Sequence, residues 1–372
     1  MVQVKDIMAV MEGIAPRKLA ESWDKPGLAV GDPNHEVKKI LVALDVTKEV
    51  IAEAAEMGAD MIITHHPMLL FQKFDSITTE TSVGSKIISL IQNNIAAFSA
   101  HTNLDIAKGG TNDVLAELIG LQDLTYLEET WAEDLKKIAV FVPVTHAEAV
   151  RKAMCDAGAG EIGNYTCCTF GAPGESTFLP MKGSNPFLGE QGKLERVEEV
   201  RLEALVPASQ AANVIAAMKA AHPYEEVAYD VYAVEQRYKK EGIGRMGVLP
   251  APVPFAEFAK MLKEKLGLDS IRLTGDAHKM IQKVALCTGS GAEFIMPAYY
   301  AGADAYLTAD IKFHEAQKAV ETGICVADVT HYASEVLIVP VIQKALEQAA
   351  AEKGWALEVV CSKVNGQTFW AL

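Results

Sequence analysis

No Cys-x-x-Cys pair occurs in the 372 residues. The six cysteines (Cys155, Cys167, Cys168, Cys287, Cys325 and Cys361) are spread along the chain, which argues against a thiolate zinc site. Basic residues are in short supply: 34 against 49 acidic, a net charge of −15. That balance argues against a general nucleic-acid or anionic-membrane binder, because phosphate contacts need clustered Lys and Arg. A locally basic pocket for a nucleotide stays open. No apolar run reaches membrane-spanning length. The opening Met1-Val2-Gln3-Val4-Lys5-Asp6 lacks the charged-then-apolar plan of a signal peptide. A cytoplasmic protein with reduced thiols and no membrane partner is the expectation. Half the residues are hydrophobic, ample for a sizeable core, and the length suggests two or three domains.

The first 120 or so residues alternate helix and strand. Lys39–Asp45, Ala59–Thr64 and Ile95–Ala100 are apolar runs fit for buried strands. Val4–Met11, Thr47–Met57 (with Thr47 as N-cap), Ser85–Asn93 and Thr111–Leu118 suit helices. The last 130 or so residues repeat this grammar: strands at Lys283–Cys287, Asp304–Thr308, Ile324–Asp328 and Trp355–Cys361 alternate with helices. The last of those helices is a long one over Ser334–Lys353. Such alternation implies βαβ units and largely parallel sheets. The middle differs. Strands at Leu135–Val142, Tyr165–Phe170, Arg196–Val206 and Glu226–Ala233, with helices at Ala147–Cys155 and Gln210–Ala221, give β-α-β-β-α-β, the ferredoxin-like order. Gly171–Leu194, rich in Gly, Pro and Ser, suits a long loop. The expected fold is α/β: a discontinuous main domain of two halves, 1–127 and 237–372, with an inserted ferredoxin-like α+β domain at 128–236.

Chemistry gathers at strand ends. Thr64-His65-His66-Pro67, His101-Thr102-Asn103-Leu104-Asp105 and Thr330-His331-Tyr332-Ala333-Ser334-Glu335 each follow an apolar run. Open α/β sheets bind ligands beyond the carboxyl ends of their strands. Adjacent strand residues face opposite sides, so His65 and His66 reach one cluster only if the strand ends near Thr64, or if each serves a different ion. Pro67 favours termination there. His331 and Glu335, four apart at a helix start, share one helix face. Mixed imidazole and carboxylate ligation suits zinc, iron or manganese, and a carboxylate can bridge two ions. A single such His is most often a solvent or capping residue, and Asp105 or Glu335 alone could be a turn or first-turn charge. Three clusters at three strand ends are what favour a metal site.

Other features say less. Gly242-Ile243-Gly244-Arg245-Met246-Gly247 lacks a βαβ context and suits a tight turn. Thr288-Gly289-Ser290-Gly291 follows a strand and opens a helix, so its N–H groups either cradle an anion or form a plain βα turn. His222-Pro223-Tyr224-Glu225-Glu226 carries ligand types but is equally a helix-to-strand loop.

Thr64–Pro67, Asn103-Leu104-Asp105, Gly242–Gly247, the Thr288–Gly291 turn, Thr308-Ala309-Asp310-Ile311-Lys312-Phe313-His314 and His331–Glu335 together resemble the Nif-three-like proteins, often called GTP cyclohydrolase 1 type 2 homologues. The resemblance covers nearly the whole α/β part, and the middle segment resembles the CutA-like or PII-like insert of longer members. It implies two divalent metal ions per chain, held by His65, His66, Asp105, His331 and a bridging Glu335. His101 matches a cavity-lining position. It also implies a homohexamer of two face-to-face trimers. Where many members read Lys-His-His, this chain has Lys312-Phe313-His314, so the first of those histidines has no counterpart here.

Two functions follow as expectations. One is a metal-dependent hydrolase of a nucleotide, phosphate ester or purine ring, with zinc the first choice and iron or manganese next, and with His101 or His314 moving the proton. The family's cyclohydrolase name rests on analogy, and no Cys/His constellation of the ring-opening zinc cyclohydrolase stands out here. The other is a non-catalytic regulator or metal-handling hexamer that binds ligands or partners through its insert. The apolar run Met68-Leu69-Leu70-Phe71 fits either an assembly surface or the chain's own core.

Overall fold

The computed structural model describes residues 1–70 and 76–369. Phe71, the end of the apolar run after the histidine pair, lies outside the described residues. The chain divides into two units, Met1–Trp131 with Glu241–Leu372, and Ala132–Lys240.

The strands of the first sheet are β1 (Gly27–Val30), β2 (Lys39–Ala43), β3 (Met61–Thr64) and β4 (Ala96–Ser99), with the last strand of the chain completing it. Neighbouring strands β2, β3 and β4 run parallel, as the helical crossovers between them require, and every residue of β3 and β4 is buried. Strand β1 pairs antiparallel with β4 at the edge. Thr47 caps the crossover helix Lys48–Glu56 by accepting from the Val50 amide, as its residue type predicts.

Strands β5 (Gln122–Pro143), β6 (Thr169–Phe178), β7 (Glu195–Pro207) and β8 (Tyr229–Pro254) follow. Then come β9 (Arg272–Thr274), β10 (Met280–Leu286), β11 (Ala305–Thr308), β12 (Cys325–Asp328) and β13 (Glu358–Cys361). In the larger unit, β10, β11 and β12 are parallel, while β8 and β9 flank them antiparallel. β13 adds parallel to β2 and closes the first sheet with residues from the far end of the chain. The α/β expectation therefore holds, with the antiparallel neighbours β1, β8 and β9 beside the parallel strands, which periodicity did not reveal.

In Ala132–Lys240 the order along the chain is strand, helix, strand, strand, helix, strand. β7 pairs antiparallel with both β5 and β6. Helices Ala147–Asp156 and Ala211–Ala221 bury Val150, Met154, Val214 and Met218 against Ile138, Val140, Leu202 and Val206 of the strands.

Four expectations need correction. Gly171–Phe178 is strand rather than loop: it pairs with β7 along its length, and an outer strand tolerates Gly and Pro. Gly242–Gly247 is no tight turn but part of β8, paired to β10. Its glycines admit close backbone approach: a Cβ on Gly244, at φ +64°, would lie 2.7 Å from Leu286 O. The long helix over Ser334–Lys353 is instead two, His331–Glu335 and Ile338–Lys353. Pro340 cannot donate back to Val336, so it falls in a first turn, where no donor is needed. Finally, Cys155 and Cys167 form a disulfide, with Cα atoms 5.1 Å apart, against the expectation of reduced thiols. The chain turns back after the helix Ala147–Asp156, and no sequence spacing announces that. Helix Phe255–Lys265, which buries Phe255, Phe258, Ala259 and Leu262 at helical spacing, was not anticipated. Among the described residues no helix is long and apolar enough to cross a membrane.

Candidate metal centre

β3 ends at Thr64, whose hydroxyl donates to His66 O at 2.9 Å and turns the chain. Both following imidazoles therefore leave the strand alternation and face one side. His65 Nδ1 donates to Ala100 O at 3.0 Å, just past β4. His66 Nδ1 donates to Asp45 Oδ1 at 2.8 Å, just past β2. His101 Nδ1 meets Asp24 Oδ1 at 3.1 Å, and His331 Nδ1 meets Asp310 Oδ2 at 2.7 Å, just past β11. Each ring thus spends its Nδ1 proton on an outer acceptor, which leaves the Nε2 lone pair for the interior. That is how proteins orient metal-binding histidines.

The Nε2 atoms converge on two carboxylates. His65 Nε2 lies 3.6 Å from Asp105 Oδ1 and 3.7 Å from Glu335 Oε1. His66 and His331 Nε2 lie 2.9 and 3.1 Å from Glu335 Oε2, and 3.2 Å from each other. His65 Nε2 is buried with no hydrogen-bond partner among the described residues. Among the described residues, donor atoms within 4.8 Å of one another form three groups: His65 with Asp105 and Glu335, His66 with His331 and Glu335, and His65 with His66 and His101. Glu335 belongs to two of them, as a carboxylate shared between two cations must. An orphaned buried imidazole nitrogen and two facing ring nitrogens fit divalent cations, and the mixed N and O donors suit borderline metals.

The electrostatics agree. Burial alone would depress the His66 pKa, yet its bonds to Asp45 and Glu335 push it up to about 10. His331 likewise overcomes burial through Glu335 and Asp310 and reaches about 9. Burial works against the Glu335 charge, but the surrounding histidines hold its pKa well below the usual carboxylate range. Burial, with the nearby Glu335 charge, pushes Asp105 up. The site is an anionic cavity that binds positive charge as protons when no metal is present.

Side chains from neighbouring elements support it. Thr111 donates to Asp105 Oδ1, and Asn112 Nδ2 to Asp105 O at 2.9 Å. Buried Arg245 pairs with Asp113 and donates to the Ile106, Ala107, Gly242 and Gly244 carbonyls, which pins the loop after Asp105. Thr330, which precedes His331, holds φ +67°, an outlier for a β-branched residue. The Thr288–Gly291 turn does not cradle an anion. Its Thr288, Gly289 and Gly291 amides donate to Asn112, Ser334 and Thr308 side chains. A cavity of about 560 Å³ opens over the centre, lined by His101, Asp105, His331 and Glu335 with Trp23, Phe294 and the acidic Glu21, Glu128 and Glu293.

A family model, Duf34/NIF3 (NGG1p interacting factor 3), matches residues 2–367. The chain belongs to the Duf34/NIF3 family. It is 41% identical over 365 residues to a Bacillus subtilis protein named GTP cyclohydrolase 1 type 2 homolog, covering 98% of this chain and 97% of that one. A Listeria innocua protein of the same name is 42% identical over 362 residues, covering 97% and 96%. Among solved structures, a Bacillus cereus protein related to NIF3 superposes with TM-score 0.88 at 42% identity, covering 100% of this chain and 99% of that one. Staphylococcus aureus protein SA1388 gives TM-score 0.84 at 28% identity with the same coverage. The mixed α/β fold is that of NIF3-related proteins.

Within this NIF3 fold the structure brings together His65, His66, His101, Asp105, His331 and Glu335. It does not bring His314 to them. That ring is exposed in the first turn of helix Phe313–Thr322, with Nδ1 3.5 Å from Gln317 Oε1. The sequence reading missed the outer acceptors Asp24, Asp45 and Asp310, and the anchor Arg245. For Asp45 and Asp310 a signal existed, since each sits two residues past a strand end.

Proposed function

We propose that the protein is a dinuclear metal-dependent hydrolase acting on a nucleotide or related phosphate or purine compound. The observation that carries this reading is Glu335, whose two oxygens face separate donor groups beneath an open cavity. His65, Asp105 and Glu335 would hold one ion, and His66, His331 and Glu335 the other. Zinc fits this donor set best, with iron and manganese next. Two divalent cations held there would supply Lewis acidity and an activated water at neutral pH.

The chain's own residues do the rest. Glu21, Glu128 and Glu293 make the cavity too acidic for a phosphate unless cations balance it. Burial and the neighbouring Glu293, Glu128 and Asp24 charges raise the Glu21 pKa, which marks how crowded that charge is. Trp23 and Phe294 offer flat apolar surface for a heterocycle. His101, oriented by Asp24, would move a proton at the leaving group. The cavity volume lies in the range of small-molecule sites. The name GTP cyclohydrolase 1 type 2 homolog, carried by the Bacillus and Listeria relatives, favours a purine nucleotide. Assembly as a cytoplasmic homohexamer of stacked trimers belongs to the same reading.

The test is a screen of the full chain, loaded with zinc, iron or manganese in turn, against purine and pyrimidine nucleotides by chromatography. Turnover that disappears with chelator and returns with metal is expected. Absence of metal-dependent turnover across the panel overturns the enzymatic reading in favour of a metal-binding regulator.

A further inference from the structure

We propose that the unit Ala132–Lys240 carries a second ligand site that takes a small organic cation: an amidinium, guanidinium or primary ammonium group on a flat apolar frame. A cavity of about 430 Å³ lies wholly within this unit, walled by Phe141, Phe178, Phe187 and Tyr224. The Tyr224 ring centroid lies 5.8 Å from that of Phe178 and 6.3 Å from that of Phe187, so the rings form a continuous aromatic face. Glu199, on β7, lines the same cavity at 5% exposure. Its Oε1 is buried and, among the described residues, has no well-formed hydrogen bond.

An unpaired buried carboxylate oxygen is among the costlier things a protein can keep, and it calls for a donor. The cavity's own donors are neutral hydroxyls, of which the Tyr224 hydroxyl is the one that leans on Glu199, so nothing among them brings the positive charge that a buried carboxylate favours. Tyr224 Oη sits beside Glu199 but, like Ser176 Oγ, is buried without a well-formed hydrogen bond. His222 is committed elsewhere: Nε2 donates to Phe141 O at 3.0 Å and Nδ1 accepts from the Tyr224 amide at 3.1 Å. Burial lowers its pKa, so it brings no positive charge.

Two more carboxylates, Glu225 and Glu226, line the cavity, and among the described residues no Lys or Arg does. Glu225 Oε1 accepts the Asn185 amide at 2.9 Å. The sign of charge excludes phosphate-bearing ligands and selects cations. Aromatic faces attract a cation through the ring quadrupole, and the buried carboxylate receives its N–H groups in charge-assisted bonds. The site is independent of the metal reading, since none of its residues belongs to that centre.

Benzamidine, benzamide and benzoate share one frame and differ in charge, so they are the probes. Each is titrated into the full chain by calorimetry and ligand-observed NMR. Benzamidinium should bind about tenfold or more tighter than neutral benzamide, and benzoate should not bind. Glu199→Gln should weaken benzamidinium about tenfold or more with metal content unchanged, while Glu335→Gln leaves benzamidinium binding unchanged. Should Glu199→Gln misfold by thermal unfolding, the double variant Glu225→Gln/Glu226→Gln serves instead, with a smaller loss. Equal binding of benzamidine and benzamide, no benzamidinium binding at millimolar concentration, or loss through Glu335→Gln rather than Glu199→Gln overturns the proposal.

Discussion

Gly289 backs directly onto Glu335: a Cβ at Gly289 would stand 2.2 Å from Glu335 Oε1 and 3.4 Å from His331 Nε2. The turn after β10 therefore sets how far the shared carboxylate can sit from its histidines. Glu335 is only 4% exposed and has little room to yield. Gly289 also holds φ +67°, which a side chain strains.

Gly289→Ala should displace the Glu335 carboxylate and lower bound metal per chain well below that of the parent. The fold should survive, since the strain of a non-glycine residue at that φ is on the order of 1 kcal/mol. Elemental analysis after dialysis, beside circular dichroism, checks this. Full metal occupancy in Gly289→Ala would show that Glu335 is not held against that turn.

Removing ligands should separate shared from unshared groups. Glu335→Ala is expected to remove most binding of both ions, and His65→Ala to weaken mainly one. Metal titration of the two variants distinguishes them. Equal losses from both would argue against a bridging role.

Metal uptake should release protons. His66 and His331, raised to about 10 and about 9, hold protons at neutral pH in the metal-free chain. A cation must displace them, so apparent affinity should rise with pH up to about 9, by about tenfold per unit for each proton displaced. Pairing contributes stability to the metal-free protein, fully present below their unfolded value near 6.5 and lost as pH rises through 9 to 10. Calorimetry in buffers of different ionisation enthalpy counts the protons. Uptake without proton release would contradict the protonated state.

Arg245 is 2% exposed and pairs with Asp113. Arg245→Met should destabilise the fold by roughly 3–5 kcal/mol, because it strands a buried carboxylate. Adding Asp113→Leu should recover much of that loss. Urea unfolding of the single and double variants measures both. No recovery in the double variant would assign the loss to the carbonyls that Arg245 binds instead.

The sequence by itself determined the ingredients. Apolar runs that end in His65, His101 and His331 mark buried strands whose carboxyl ends carry ligands, because strand length and polarity are local properties. The Thr47 cap and the shared face of His331 and Glu335 are likewise local, set within one helical turn. Tertiary structure decided the rest. β13 joins β2 from the far end of the chain, and β8 takes up Gly242–Gly247 as a strand, since pairing depends on which neighbour is available. Asp45 and Asp310 became imidazole partners, and Cys155 met Cys167, only once separate segments packed together. Of the two readings open at Thr288–Gly291, anion cradle or plain βα turn, packing chose the turn: Asn112, Ser334 and Thr308 arrive from other elements and take its amides. A backbone donor's availability depends on everything that packs against it, and no reading of adjacent residues contains that.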